Sequence, residues 1–115
     1  MRGVLLCALA AVIVLSACNS PEQDAFAQCV TESGATFYGV FWCPHCAEQK
    51  KLFGSSIQHI RYVECDLRGQ NPQPVLCQQK KIASYPTWEF GDGTFLSGVL
   101  KLSTIAQKTK CTLPP

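Results

Sequence analysis

The chain has 115 residues, enough for one domain of ordinary size, and its ten basic and eight acidic side chains give a formal net charge of +2. No basic stripe runs through it, which excludes nucleic acid as a partner; the pairs Lys50-Lys51 and Lys80-Lys81 read as solvated helix faces. Eight cysteines are many for a reducing compartment and ordinary where disulfides persist.

In chain order, Arg2 precedes an apolar stretch, residues 4–15, shorter than the roughly 20 residues a helix needs to cross a bilayer. A charged start, a short apolar core and small residues before a cut site read as a secretory signal. Its end, Leu15-Ser16-Ala17-Cys18, resembles the bacterial lipobox, where cutting leaves a lipid-bearing cysteine as the first residue. That resemblance implies a lipoprotein signal peptide at 1–17, lipidation at Cys18, a polar tether at 18–24 and a domain at 25–115. It also implies an extracytoplasmic protein held on a membrane by several acyl chains, since one chain binds only reversibly.

Ser20 offers an N-cap and Pro21 suits a first helical position, so "EQDAFAQCVTES" predicts a helix stopped by Gly34. The aromatic-rich "ATFYGVFW" predicts a strand buried on both faces, and "PHCAEQKKLF" a helix closed by Gly54. "HIRYVEC" alternates, which predicts a strand containing His59 and ending at Cys65. The turn-rich "DLRGQNPQ" leads into a short helix opened by Pro74, "PVLCQQKKI". "YPTWEF" and "TFLSGV" flank "GDG" as a hairpin, and Ser103 caps a last helix through Lys108. The order α-β-α-β-α-β-β-α predicts an α/β fold, a central mixed sheet flanked by helices.

The chemistry concentrates where the first strand gives way to the second helix. A helix N-terminus presents unpaired N–H groups and about half a positive charge, so a thiol there ionises more readily. Cys43 takes that place ahead of Pro44, whose missing N–H costs nothing there. His45, in the same first turn, adds positive charge when protonated. Cys46, one turn on, can close a small disulfide with Cys43. The arrangement is that of a reversible two-thiol redox switch. With Cys7 leaving in the signal and Cys18 lipidated, Cys29, Cys43, Cys46, Cys65, Cys77 and Cys111 remain. Six thiols allow 15 pairings, so connectivity stays open.

Cys-x-x-Cys opening a helix after a strand, followed by Tyr85-Pro86-Thr87, resembles the thioredoxin superfamily. The wider set "FYGVFWCPHCAEQKKLFG", "YVEC", "YPTWEF" and "LSGV" is similar to the thioredoxin-like domain fused to bacterial and plant vitamin K epoxide reductase homologues, over about residues 28–108. The resemblance implies a thioredoxin-like fold with a cis-proline at Pro86 against the redox pair, and Trp42 and Tyr85 beside it. Cys43 would attack and carry the substrate, and Cys46 would resolve. Cys65 and Cys77 match a second cysteine pair, structural or electron-relaying; Cys29 and Cys111 are left as a candidate further disulfide. The function implied is oxidation of thiols on exported proteins, with reoxidation by a membrane, quinone-linked partner. The four-helix membrane part is not in this sequence, so that partner is expected either as a separate protein, brought close by the lipid anchor, or not at all. No cofactor and no metal are expected.

Thioredoxins carry a buried acid on the strand before the active site, and Phe37 stands about there. The acceptor of the resolving cysteine's proton is therefore open; Glu48 is a candidate, with a solvated helix residue as its plainer reading. Pro-His between the cysteines resembles the oxidising periplasmic members, at about −120 mV against about −270 mV for thioredoxin. The rival readings are a disulfide reductase or isomerase and a metal-binding protein. Structural zinc sites use two tight cysteine pairs, and Cys65 and Cys77 are not one.

Overall fold

The computed structural model describes residues 20–115. The signal peptide at 1–17, Cys18 and the start of the expected tether lie outside the described residues. Helix α1, Pro21–Glu32, begins where Ser20 Oγ accepts from the N–H of Gln23, with Pro21 in the first turn and Glu22 and Asp24 suited to its dipole. Residues 21–24, expected in the tether, are therefore the first turn of a helix. Gly34, at a φ of +94°, ends it: its N–H donates to Thr31 and that of Ala35 to Val30, closing the last carbonyls.

Strand β1, Thr36–Gly39, is buried at all four positions. Helix α2 spans Pro44–Phe53 and runs into a 3-10 helix, Gly54–His59. Strand β2 is Tyr62–Glu64 only. His59 is thus not in a strand; it closes the 3-10 helix, with Nε2 3.5 Å from Asp24. The alternation that suggested a longer strand is overridden by Gly54, whose φ of +56° turns the chain at the end of α2. Helix α3, Pro74–Gln79, stops short of Ile82, with Lys81 at a φ of +58° where such ends usually have glycine. Strands β3, Thr87–Glu89, and β4, Phe95–Ser97, form a hairpin around Gly91-Asp92-Gly93. Helix α4, Leu102–Thr109, starts one residue before Ser103, with Lys101 as its N-cap.

The sheet order is β2-β1-β3-β4, parallel between β1 and β2 and antiparallel elsewhere. Phe37, Trp88 and Phe90 face α1, α2 and α4, packing with Phe26, Val30, Phe53 and Ile105. Trp88 stacks on Phe37 at 5.2 Å between ring centroids. Tyr38, Val40 and Val63 face the other way, with Cys65, Cys77 and α3. The mixed four-stranded sheet with flanking helices is α/β and thioredoxin-like.

Candidate active site

The loop from β1 to α2 sets the site. Val40 is buried, whereas Phe41 and Trp42 leave the strand for the surface, both more than half exposed. Cys43 is the N-cap of α2, with an extended backbone, and its carbonyl accepts from the N–H of Ala47 at 3.1 Å. Its sulfur therefore sits at the end of the helix among unpaired N–H groups. The N–H of Cys46 is the strongest influence pulling the Cys43 thiol below its ordinary range; the N–H of His45 and the thiol of Cys46 pull the same way, and slight burial opposes them. The imidazole of His45 instead lies 3.5 Å from Glu48 Oε2, and both side chains are mostly exposed.

Cys46, one turn further, is 1% exposed. Burial pushes its thiol up to about 11, against the opposing pull of the Val40 backbone. Cys43 and Cys46 are both free thiols here. The two sulfurs thus differ, one at the helix end with its thiol lowered, the other buried with its thiol raised.

Opposite them, the Tyr85–Pro86 peptide is cis and Pro86 is fully buried. The thiol of Cys43 points at the Tyr85 carbonyl oxygen, 3.8 Å away. Trp42 is fixed from the other side, its indole N–H donating to Asp66 Oδ2 at 2.7 Å. Arg68 grips the same carboxylate through Nε at 3.0 Å and Nη2 at 2.7 Å, which, with its N–H and Trp42, holds Asp66 well below the usual carboxylate range.

Cys65 and Cys77 are joined by a disulfide, Cα atoms 5.8 Å apart, bridging the end of β2 to α3. A shallow groove lined by Trp42, Cys65, Leu67, Pro74 and Tyr85 runs from this disulfide to the rim of the redox pair. Cys29 and Cys111 form a second disulfide, Cα atoms 5.9 Å apart, tying α1 to the segment after α4, in the core cluster of the other face. Glu48 is exposed and faces the imidazole of His45, whereas Cys46 is buried. Tyr62 of β2, which sequence reasoning did not single out, stands near it, across the bare face of Gly39, and donates its hydroxyl to Glu64 of the same strand. Among the described residues no group of three or more His, Cys, Asp or Glu is placed to hold a metal, and no helix is long and apolar enough to cross a membrane.

No protein-family model matches the chain. The chain is similar to thiol-disulfide oxidoreductase LTO1 of Arabidopsis thaliana, 36% identical over 103 residues, which covers 86% of this chain and 27% of that protein. The chain thus spans about a quarter of the length of the curated relative it matches.

Proposed function

We propose that this chain is an extracytoplasmic thiol-disulfide oxidoreductase that donates the Cys43–Cys46 disulfide to thiols of exported proteins. The observation that carries this reading is the placement of two free thiols one helical turn apart, Cys43 at the N-cap of α2 with its sulfur 3.8 Å from the Tyr85 carbonyl beside the cis Tyr85–Pro86 peptide, and Cys46 buried behind it. The similarity to an enzyme named for thiol-disulfide exchange supports it.

A substrate thiolate attacks Cys43 Sγ; the Cys43–Cys46 bond breaks, and Cys46 leaves with the electron pair and takes a proton. A second substrate thiolate then attacks the substrate sulfur of the mixed disulfide, and Cys43 leaves as a thiolate. The substrate loses two electrons and the pair gains them. A low Cys43 pKa makes that sulfur a good leaving group, which favours giving the disulfide away. A membrane, quinone-linked partner of the vitamin K epoxide reductase type restores the disulfide, and a lipid on Cys18 keeps both proteins on one membrane. The groove at Trp42 and Tyr85 receives the substrate chain beside Cys43.

The reduction potential of the pair tests the direction. A value near about −120 mV fits the oxidase, and one near about −270 mV turns the reading to a reductase or isomerase fed by a membrane donor.

A further inference from the structure

The proton on Cys46 needs a destination each time the pair is reoxidised, and the neighbouring strand supplies one. Phe37 is in register with Tyr62 and Gly39 with Glu64, so strand alternation puts all four on one face, the one that α2 covers. A side chain at Gly39 would lie 2.9 Å from Cys46 Sγ and 3.0 Å from Tyr62 Cε2. The sulfur and the hydroxyl-bearing edge of the ring flank the same bare spot. Tyr62 Oη donates to Glu64 Oε1 at 3.1 Å, and the N–H of Asp66 donates to Oε2 at 3.0 Å. Glu64 is 3% exposed and is the one buried carboxylate among the described residues. Gly69 leaves its side chain room, since a Cβ there would collide with it. Lys50 Nζ lies 4.0 Å over the Tyr62 ring, and Lys50, Tyr62, Glu64, Gln70 and Gln73 line a cleft open to solvent.

We propose that Glu64, acting through the Tyr62 hydroxyl, takes the proton that Cys46 gives up as it closes the redox disulfide. The proposal rests on the reading of Cys43 and Cys46 as a thiol-disulfide exchange pair. In the step, Cys43 is already bonded to a sulfur of a partner disulfide. The Cys46 S–H proton passes to the phenol oxygen, through one water drawn from the cleft, as the phenol gives its own proton to Glu64. The Cys46 sulfur attacks Cys43 Sγ; the Cys43–Cys46 bond forms, and the partner sulfur leaves with the electron pair. Two thiols of this chain are oxidised and one partner disulfide is reduced. The proton on Glu64 then exchanges with water in the cleft.

The charged and titratable groups that act on Cys46 or on the Tyr62 hydroxyl come from two places: Cys43 at the N-cap of α2 with Lys50 on that helix, and Tyr62 with Glu64 on β2. Strand β1 brings only Phe37, Gly39 and the backbone of Val40. Asp66 and Arg68, after β2, are committed to each other. This places the acid on the strand next to the one where Phe37 stands.

The test is a single turnover of the reduced full-length chain with an aromatic disulfide that releases a coloured thiolate. The first release reports attack by Cys43, and the second reports closure by Cys46. Glu64→Gln and Tyr62→Phe should leave the first phase unchanged. They should slow the second by about 100-fold near neutral pH, the low end for a positioned proton acceptor, with the deficit shrinking as pH rises. Glu48→Gln should change neither phase. A second phase at the wild-type rate in both variants, or one slowed by the same factor at every pH, overturns the proposal. If Glu64→Gln does not melt cooperatively, Tyr62→Phe, which keeps the ring, decides alone. A wild-type chain that releases only one thiolate sinks the redox reading itself, a result distinct from either of these.

Discussion

At the scale of single residues, backbone groups tune the nucleophile. His45 reaches Cys43 through its N–H while its imidazole turns to Glu48, so His45→Ala keeps the donor that matters. Alkylation rate against pH should place the Cys43 midpoint below the ordinary thiol value of about 8.5 in both wild type and His45→Ala. A midpoint that returns to about 8.5 in the variant would assign the effect to the imidazole instead. Removal of Cys46 should trap thiol-exchange partners on Cys43 as reducible adducts on non-reducing gels, and removal of Cys43 should trap almost none. The buried thiol carries its own signature in stability. The folded state holds the Cys46 proton up to about 11, whereas the unfolded thiol releases it near about 8.5. The reduced protein should therefore lose stability as pH rises between those values, and the oxidised protein should lack that loss. Denaturant midpoints of both forms across that range check it.

Between elements, Gln49 is the tie that sets α2 against the sheet. Fully buried, it accepts from Trp88 Nε1 at 3.1 Å and the N–H of Leu100 at 2.7 Å, and donates to the Leu100 carbonyl at 3.1 Å. Gln49→Ala strands those partners, at about 1–3 kcal/mol for each buried group left unpaired, and should lower the melting temperature by about 10–20 °C. The two disulfides differ in reach. The sequence separation is 12 for Cys65–Cys77 and 82 for Cys29–Cys111. Chain entropy assigns about 3 kcal/mol to the shorter loop and about 4.5 kcal/mol to the longer. Cys29→Ser/Cys111→Ser should accordingly cost more thermal stability than Cys65→Ser/Cys77→Ser, each read by melting. If Cys65–Cys77 relays electrons, its double mutant should instead stay stable and fail to be reoxidised.

The same scale explains what was legible beforehand. Helix starts at Pro21, Pro44 and Pro74 are local events, written in a proline and the residue before it. The α/β order followed from them and from the apolar run of β1. The short β2 was not legible, because Ile60 keeps the alternation going where the backbone is only just leaving a 3-10 turn. Glu64 was not legible for a different reason: its link to Cys46, through Tyr62, depends on the cross-strand register with Gly39, which no single segment encodes. Phe37 showed where an acid was missing; it could not show which strand had taken it up.

Over the whole molecule, the lipid on Cys18 and the enzyme are separable proposals. Cys18→Ala should leave an uncut or soluble chain that still exchanges disulfides, measured by fractionation and by turnover on a reduced test protein. Recovery of the wild-type chain in the soluble fraction without detergent would remove the anchor. The Cys29–Cys111 bond has a topological consequence as well. It closes residues 29–111 into a covalent ring, with the redox pair, the Cys65–Cys77 loop and the exposed turn at Lys80-Lys81 inside it. A single protease cut at Lys81, in that turn and outside the Cys65–Cys77 loop, opens the ring without dividing the molecule. The nicked chain should run at full mass on a non-reducing gel and fall into two pieces only after reduction. A chain closed in this way can be broken in one place and keep both halves in hand.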